Sequence, residues 1–420
     1  MFPGGTESGL EIWRSLRSHR QVELFSAGAA VSSHAPYVFA RHFVVPMVGE
    51  PGWLKVLNSV ITKNRIDFVY PAHDDVILAL AKNHRNVLAR VVTSSPTTCR
   101  ICRFKSRTYR ALQGRVPVPR VYSRSTVRSF PVFLKPDRGQ GSQDARRIDS
   151  FEELDVWLRP DPHRYIITEY LPGEEYTVDC FTDRKRRLLY VSGRRRFRVR
   201  NGIAVDTETV EDPRFRKIAE AINRRLRLRG AWFFQVKRNR TRQLVLLEVA
   251  PRIAGSMAID RVLGANLPLL SLYDAASLDV EVLTNPVHVR MDRALTNRFR
   301  HSLRVTRAYV DLDDTLVVNG RVNVELARLL HQFANEGARL TLVTRHAGDL
   351  AAMLGRHRLS GLFDDVEKVP VGVSKATVID PIPGAIFIDD SFAERRDVAR
   401  RAKIPTFDCS MLEVLANDRS

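Results

Sequence analysis

The sequence has few cysteines, few lysines and no long hydrophobic run. Its four cysteines, Cys99, Cys102, Cys180 and Cys409, are too scattered for a disulfide-stabilised fold. No apolar stretch approaches the roughly 18 residues that a membrane helix needs, and the first residues lack the basic and apolar segments of a secretory signal. These absences argue against a disulfide-rich secreted protein and against a membrane partner, and they favour a cytoplasmic protein.

Lysine is scarce although the protein is strongly basic. The formal net charge is +20, and the 67 basic residues comprise 11 lysines and 56 arginines. Clustered cations often bind nucleic acid because they release counterions from the phosphate backbone. Codon composition alone can produce such an excess of arginine, so we do not expect a nucleic-acid partner. Each of the few lysines is instead a candidate for a specific role.

The length and the local patterns predict several domains. A chain of 420 residues is expected to form two or three domains, and we expect a multidomain protein of the α/β and α+β classes. Residues 1–95 alternate short apolar runs with amphipathic stretches, as in a small α/β domain, and residues 96–285 carry several strand pairs. Residues 286–304 are interpreted as a linker, and residues 305–420 alternate strands with helices, which predicts a parallel sheet.

A lysine and a glycine-rich loop stand together in the middle region. Lys135 ends an apolar strand, and the loop that follows contains Arg138, Gly139, Gln140, Gly141 and Ser142. Glycines let backbone N–H groups approach phosphate oxygens, and a lysine on the adjoining strand supplies a compact positive charge. An ordinary turn explains such a loop equally well when it is taken alone.

Further oxygen-bearing side chains follow along the chain. Glu169 and Glu175 flank a short connection between two strands, and Gln235 and Glu248 are embedded in two apolar strands. Burial of such groups is unfavourable unless they have partners, and a hard cation such as Mg²⁺ is one suitable partner.

Together these residues resemble the ATP-grasp superfamily, closest to its carbamoyl-phosphate-synthase-like and peptide-ligase-like branches, across residues 1 to about 285. The resemblance implies a pre-ATP-grasp domain followed by an ATP-grasp domain, with ATP and Mg²⁺ as cofactors. It also implies ligation of a small-molecule carboxylate to an amine through an acyl phosphate. This chemistry depends on positioning and on charge neutralisation.

The resemblance assigns roles residue by residue. Lys105 and Lys135 would hold the ATP phosphates, and the loop residues Arg138, Gly139, Gln140, Gly141 and Ser142 would close over them. In the hinge of Glu169, Tyr170 and Leu171, backbone groups of Glu169 and Leu171 would hydrogen-bond the adenine, and Glu175 would bind the ribose hydroxyls. Gln235 and Glu248 would bind Mg²⁺, and Arg252 would stabilise the transferring phosphoryl group. Ala250 stands where the family usually has a metal-binding asparagine, and Phe104 stands where it often has aspartate. A nucleotide-binding domain without ligase chemistry is therefore an alternative.

A basic stretch lies between the hinge and the proposed metal ligands. Residues 184–200 contain nine lysines or arginines and no acid. We interpret the stretch as a solvated basic hairpin. The alternative is that members of it bind the substrate carboxylate, namely Arg194, Arg195, Arg196, Arg198 or Arg200.

Three strands of the C-terminal region end in polar residues. Asp311 and Asp313 are two positions apart on an extended chain, so their side chains face the same side. Two further strands end at Thr344 and at the pair Asp389 and Asp390. Because ligands bind at the carboxyl ends of parallel strands, the three strand ends are expected to form one site. An ordinary turn or helix cap is the alternative for an aspartate pair.

Together with Lys375, these residues resemble the haloacid dehalogenase superfamily of phosphatases over residues 305–420. The resemblance implies a Rossmann-like domain in which Asp311 is the nucleophile and Asp313 the general acid and base. Thr344 and Lys375 would hold the phosphate. Mg²⁺ would bind among Asp311, Asp313, Asp389 and Asp390. Only 33 residues separate Asp311 from Thr344, and 31 separate Thr344 from Lys375, which leaves no room for a cap domain.

The sequence thus predicts a bifunctional enzyme, an ATP-dependent carboxylate–amine ligase fused to a Mg²⁺-dependent phosphatase. The expected partners are small-molecule carboxylate and amine substrates, a small phosphorylated substrate for the C-terminal domain, and a second copy of the chain in a homodimer. One alternative is an ATP-binding regulatory domain attached to a phosphatase. The other is an arginine-rich protein that associates with nucleic acid and has one degenerate catalytic domain.

Overall fold

The chain divides into two compact units, Met1–Leu295 and Thr296–Ser420. The computed structural model describes residues 1–139, 141, 143–200, 202–297, 299 and 301–417. Within these residues, no helix has both the length and the hydropathy that crossing a bilayer requires.

The first unit begins with short parallel strands and helices. Its first elements are α1 (Glu7–Leu16), β1 (Ser26–Gly28), α2 (Ala35–Val38), β2 (His42–Val44), α3 (Trp53–Lys63), β3 (Phe68–Val69), α4 (Asp74–Lys82) and β4 (Arg90–Val91). Strand β1 pairs in parallel with β2, and β3 pairs in parallel with β4. Phe2, before the first helix, forms a single parallel bridge with Pro71. The Thr6 side chain caps α1 by accepting the Gly9 N–H at 3.0 Å.

A four-stranded antiparallel sheet follows. It is preceded by two helices, and the elements are α5 (Pro96–Arg103), α6 (Lys105–Leu112), β5 (Val121–Tyr122), β6 (Val132–Pro136), β7 (Arg146–Ile148), α7 (Phe151–Leu158) and β8 (Tyr165–Glu169). The strand order is β5-β8-β6-β7. Leu134, Ile148, Leu154 and Ile167 form the centre of its core. Lys135 therefore ends a strand in the middle of a sheet.

A six-stranded antiparallel sheet completes the first unit. Its elements are β9 (Glu175–Thr182), β10 (Leu188–Arg200), β11 (Ile203–Val210), α8 (Pro213–Arg225), β12 (Gly230–Arg238), β13 (Leu244–Ala250), α9 (Ala258–Val262), α10 (Leu267–Ala275) and β14 (Arg290–Asp292). The strand order is β13-β12-β9-β10-β11-β14. Trp232, Phe234 and Ile222 are completely buried between this sheet and α8.

The linker predicted over residues 286–304 needs a correction. Strand β14 lies within that range and pairs with β11, where Arg290 binds Asp206 through two hydrogen bonds of 3.1 and 3.0 Å. The segment lacks a long apolar run because an edge strand needs only backbone pairing and ion pairs. The first unit accordingly extends to Leu295.

The second unit contains a parallel sheet with helices. Its elements are β15 (Arg307–Val310), β16 (Val317–Val318), β17 (Arg321–Val322), α11 (Val324–Asn335), β18 (Arg339–Thr344), α12 (Leu350–Arg356), β19 (Asp365–Lys368), β20 (Ala385–Ile388), α13 (Phe392–Arg401) and β21 (Thr406–Phe407). The strand order is β19-β18-β15-β20-β21, with parallel pairing throughout. Two apolar clusters, one around Val310 and one around Phe387, contain the buried residues of this sheet. The segment between β15 and α11 is occupied by the short hairpin β16–β17.

Candidate functional site

A cleft in the first unit gathers most of the residues predicted to bind ATP. Its walls include Lys105, Lys135, Gly141, Glu169, Tyr170, Leu171, Glu175, Gln235 and Glu248. These residues come from α6, from both antiparallel sheets and from the connections between them. Gln140 and Ser142, which were predicted to close over the phosphates, lie outside the described residues.

The two predicted phosphate lysines have uncharged hydrogen-bond partners. Lys135 is 6% exposed, and its Nζ donates to the Tyr109 hydroxyl at 2.7 Å. Burial and the nearby charge of Lys105 lower the pKa of Lys135 to about 7, although Glu248 and Glu175 act in the opposite direction. Lys105 donates to the Gly139 carbonyl at 3.3 Å. A bound anion would therefore stabilise the charged form of Lys135.

Ion pairs hold the beginning of the glycine-rich loop. The loop residue Arg138 and Arg103 of α5 both bind Asp75, with Nε–Oδ1 distances of 3.1 and 2.9 Å. Burial raises the pKa of Asp75, but the hydrogen bonds from Arg103 and Arg138 prevail and hold it at about 2. Arg103 also donates to the Gly139 carbonyl at 3.4 Å. Asp75 thus joins the loop to α4, the helix on which it lies.

The predicted hinge residues already have partners. The Glu169 N–H donates to the Arg120 carbonyl, and its carboxylate accepts the Arg120 N–H, each at 2.9 Å. Because the Glu169 N–H is already bonded, the adenine contact predicted for the Glu169 backbone would have to come from its carbonyl oxygen. Glu175 lies 3.1 Å from Nη1 of Arg196 and 3.7 Å from Nζ of Lys237. Ribose hydroxyls would share Glu175 with these two cations.

The two predicted metal ligands of the first unit face each other across neighbouring strands. Gln235 on β12 is paired in register with Glu248 on β13. Ala250 is paired with Phe233, and both pack against Ala254 in a small apolar cluster. The position that carries asparagine in the family is therefore part of an apolar contact in this chain.

Arg252 lies beside a carboxylate of the N-terminal region. Its Nε and Nη2 donate to the two oxygens of Asp74 at 2.7 and 2.9 Å, a bidentate arrangement. Both residues line a second cavity, which shares Gln235 and Glu248 with the nucleotide cleft. To stabilise a phosphoryl group, Arg252 would have to leave Asp74 or bind both groups.

The interpretation of the basic stretch as a solvated hairpin is wrong for two of its arginines. Arg194 and Arg196 are only 1% and 9% exposed, because alternate side chains of β10 face inward. Arg194 donates to Ser256 Oγ at 2.9 Å and forms buried ion pairs with Asp179 and Asp260. The buried Nε of Arg196 has no hydrogen-bond partner among the described residues.

The second unit brings four of its predicted residues into one compact cluster, namely Asp311, Lys375, Asp389 and Asp390. Lys375 Nζ donates to Asp311 at 2.6 Å and to Asp389 at 2.7 Å, and all three residues are buried. Burial and the neighbouring Asp389 raise the pKa of Asp311 to about 6, although Lys375 opposes the rise. One oxygen of each of Asp311, Asp389 and Asp390 lies within 4.8 Å of the others. Three carboxylates against one lysine leave an excess of negative charge, which suits a divalent cation.

Asp313 lies apart from the carboxylate cluster. Its side chain is 48% exposed, and both of its oxygens lie 3.1 Å from His346 Nδ1. The Thr344 hydroxyl accepts the His346 N–H at 3.0 Å. The structure therefore does not bring Asp313 to the other three predicted metal ligands, because the chain turns after Leu312. Its predicted acid–base role is compatible with this exposed position.

Three residues of this site were missed in the sequence. Thr315 Oγ1 lies 3.2 Å from Asp311 and 3.0 Å from Asp390, and its place two residues after Asp313 is a signal that was available. Arg395 donates to the carbonyls of Asp389 and Asp390 at 2.7 and 2.6 Å. Neither Arg395 nor His346 has a sequence signal, because their contacts depend on how α13 and the loop after β18 pack.

Comparison with known proteins concerns the ATP-grasp part. The family model described as ATP-grasp in the biosynthetic pathway with Ter operon matches residues 161–296. No curated protein matches the sequence.

Solved structures with similar folds include three enzymes, two of them as complexes with ATP or β,γ-ATP. The biotin carboxylase–β,γ-ATP complex from Campylobacter jejuni has a TM-score of 0.57 at 12% identity and covers 66% of this chain and 72% of its own. An L-amino acid ligase from Bacillus licheniformis has a TM-score of 0.52 at 14% identity, with coverages of 67% and 73%. The ATP complex of carboxyaminoimidazole ribonucleotide synthase from Aspergillus clavatus has a TM-score of 0.55 at 15% identity, with coverages of 66% and 76%. The first unit therefore has an ATP-grasp-like fold.

Proposed function

We propose that this chain is a cytoplasmic enzyme with two activities, an ATP-dependent carboxylate–amine ligase in its first unit and a phosphatase in its second. The observation that carries the ligase proposal is the convergence of Lys105, Lys135, Glu175, Gln235 and Glu248 on one cleft. These residues come from distant parts of the sequence, from Lys105 to Glu248. The cleft belongs to a fold that solved relatives use with ATP.

In the proposed ligation, a carboxylate oxygen of the substrate attacks the γ-phosphorus of ATP, and ADP leaves. The amine then attacks the acyl carbon, phosphate leaves, and the nitrogen loses a proton. Lys105 and Lys135 would hold the phosphate charges in place, so the protein contributes position and electrostatics. Gln235 and Glu248 offer paired oxygen donors that fit Mg²⁺, and the ion when bound would neutralise phosphate charge.

The second cavity is the proposed site of the carboxylate and the amine. It adjoins the nucleotide cleft at Gln235 and Glu248, and Arg103, Arg196 and Arg252 contribute to its walls. A carboxylate bound there would lie next to the phosphates of a nucleotide in the first cleft. These arginines are paired with Asp75, Glu175 and Asp74, so a substrate carboxylate would share them with these acids.

In the second unit, we propose that Asp311 attacks the phosphorus of a phosphate ester to form an aspartyl phosphate. Asp313 would give a proton to the leaving oxygen and then take a proton from the water that hydrolyses the intermediate. Thr344 and Lys375 would hold the phosphate. The cluster of Asp311, Asp389 and Asp390 fits Mg²⁺, which would offset the negative charge of the substrate.

The test of the ligase is ADP release with Mg²⁺ across a panel of carboxylates and amines. The Asp311→Asn variant is used to remove phosphatase turnover, and Lys135→Ala in the same background serves as the blank. We expect ADP only with a particular carboxylate–amine pair and only when Lys135 is present. ADP release that is equal in the blank would contradict the proposal.

The phosphatase is tested separately with p-nitrophenyl phosphate and Mg²⁺. We expect phosphate release by the wild-type chain and none by Asp311→Asn. Activity that persists in Asp311→Asn would contradict the role of that carboxylate.

One observation favours a second candidate function, an ATP-binding regulatory domain on a phosphatase. Ala250 lies in an apolar cluster with Phe233 and Ala254, so one metal ligand of the family is replaced. In that case ATP would bind and change the phosphatase rate, but no substrate pair would raise ADP release.

The nucleic-acid alternative is less well supported. Surface arginines of the basic stretch are paired with acids, as shown by Arg195 with Glu174 at 2.9 Å and by Arg198 with Asp292. Cations that are already paired release fewer counterions from a polyanion.

A further inference from the structure

Helix α6 carries three polar side chains that organise the nucleotide cleft. Lys105 lines the cleft, and the next residue, Ser106, donates its N–H and its hydroxyl to the two oxygens of Asp137, both at 2.7 Å. Tyr109 follows one helical turn after Lys105 and therefore lies on the same face of the helix. The start of α6 is thus fixed to the end of β6, the strand that carries Lys135.

The Tyr109 hydroxyl joins two separate parts of the cleft. It accepts a hydrogen bond from Lys135 Nζ and donates one to the Leu247 carbonyl, both at 2.7 Å. Leu247 immediately precedes Glu248, the predicted metal ligand. One oxygen atom therefore connects the predicted phosphate lysine on β6 with the predicted metal strand β13.

The hydroxyl is suited to this double role because it keeps its proton. Tyr109 is 3% exposed, and burial together with Glu248 and Asp137 raises the pKa of Tyr109 well above its usual range. A protonated hydroxyl donates one hydrogen bond and accepts others. Lys135 is thereby held in one position at the cleft before a nucleotide binds.

We infer that Tyr109 is a positioning residue of the nucleotide site, whose hydroxyl places Lys135 to receive the phosphate groups. The inference rests on the proposed ATP site. A lysine side chain has many rotamers, and ordering it during binding lowers the affinity. A hydroxyl that orders Lys135 in advance removes part of that entropy loss. Its effect is therefore specific to ligands that carry phosphate.

The test measures the affinity of Tyr109→Phe for two ligands, MgATP and adenosine. Phenylalanine keeps the ring and removes only the hydroxyl. In the variant, Lys135 must be ordered during binding, and the entropy of ordering a lysine side chain predicts MgATP binding weakened about tenfold, measured by isothermal titration calorimetry. Adenosine, which has no phosphate, is expected to bind equally to both proteins in ligand-observed NMR titrations. Circular dichroism and the melting temperature report whether the variant is folded.

A matched control and a double variant complete the test. Tyr190→Phe removes another buried hydroxyl, one that donates to Asp260 at 2.8 Å, and it is expected to leave MgATP affinity unchanged. In the Lys135→Met background, Tyr109→Phe is expected to cause little further loss, because the two side chains act together.

Three outcomes would overturn the inference. They are unchanged MgATP affinity in Tyr109→Phe, an equal loss of MgATP and adenosine affinity, and losses that add in the double variant. If the wild-type chain binds no MgATP, the proposed ligase site fails together with the inference. If the wild-type chain binds MgATP and Tyr109→Phe binds it equally well, only the inference fails.

Discussion

The candidate site of each unit contains lysine, but the hydrogen-bond partners of these lysines differ. In the first unit, Lys135 donates to a tyrosine hydroxyl and Lys105 to a backbone carbonyl. In the second unit, Lys375 lies between the carboxylates of Asp311 and Asp389. The first site thus has positive charge that a polyanion can neutralise, whereas the second has an excess of carboxylates that a cation can neutralise.

Because of this difference, the two sites need different ligands to compensate their charge. Burial lowers the pKa of Lys135 to about 7, which shows that its charge is poorly compensated without a ligand. The pKa of Lys375 is raised, since Asp311 and Asp389 outweigh its burial. We therefore expect the first site to respond mainly to nucleotide and the second mainly to Mg²⁺, and four predictions test this contrast.

The largest effect is expected for Asp311→Asn. Removal of a covalent nucleophile should reduce phosphate release from p-nitrophenyl phosphate by about a thousandfold or more. MgATP affinity should be unchanged, because the residue belongs to the other unit. Steady-state phosphate release and calorimetry of MgATP on the same preparation measure both. A parallel loss of MgATP binding would contradict the separation of the two sites.

The next effect is expected for Lys135→Ala. Loss of a charge that stabilises the transferring phosphoryl group should lower substrate-stimulated ADP release by about a hundredfold. Phosphatase turnover should stay at the wild-type level. The exposed Lys63 provides a matched control, and Lys63→Ala is expected to behave as the wild type in both assays. A comparable decrease of ADP release in Lys63→Ala would contradict a specific role of Lys135.

A smaller effect is expected for Arg395→Lys in the second unit. The guanidinium donates to the Asp389 and Asp390 carbonyls and binds Asp408 at 3.1 Å, and an ammonium group cannot keep this geometry. Supporting contacts of this kind typically change metal affinity by about tenfold or more. Titration with Mn²⁺, followed by electron paramagnetic resonance, should show weaker binding. Unchanged Mn²⁺ affinity would show that the carboxylates need no such support.

The smallest effect concerns pH. In the free protein the pKa of Lys135 is about 7, and a bound phosphate favours the charged form, so nucleotide binding takes up a proton. MgATP affinity should therefore be constant below about pH 7 and fall by up to about tenfold per pH unit above it. In Lys135→Arg the side chain stays charged, and the dependence should disappear. Calorimetry in buffers of different ionisation enthalpy reports the proton uptake directly.

Residues whose signals are local were located well from the sequence. Asp311, Thr344 and Asp389 each follow a short apolar strand, and parallel strands bring such positions to one edge of a sheet. The glycine-rich loop after Lys135 and the paired Gln235 and Glu248 were recognisable for similar reasons. Their roles in binding and catalysis stay predictions.

Contacts between distant segments were not predictable in this way. Arg252 binds Asp74 across 178 positions of the sequence, and no local pattern indicates such a pair. The burial of Arg194 and Arg196 depends on the neighbours of β10 in its sheet. A run of basic residues does not indicate which of its arginines are buried. Strand β14 lies in the segment interpreted as a linker, because its pairing with β11 is made through the backbone and no side-chain pattern indicates it.

The function that we propose for the first cleft is ATP-dependent ligation. The most direct measurement is ADP release by the Asp311→Asn chain with MgATP and a panel of carboxylates and amines, with Lys135→Ala in the same background as the blank. We expect ADP and an equal amount of ligated product for one carboxylate–amine pair, and neither product in the blank. MgATP binding without ADP release for any pair would contradict ligation and would favour an ATP-binding regulatory domain.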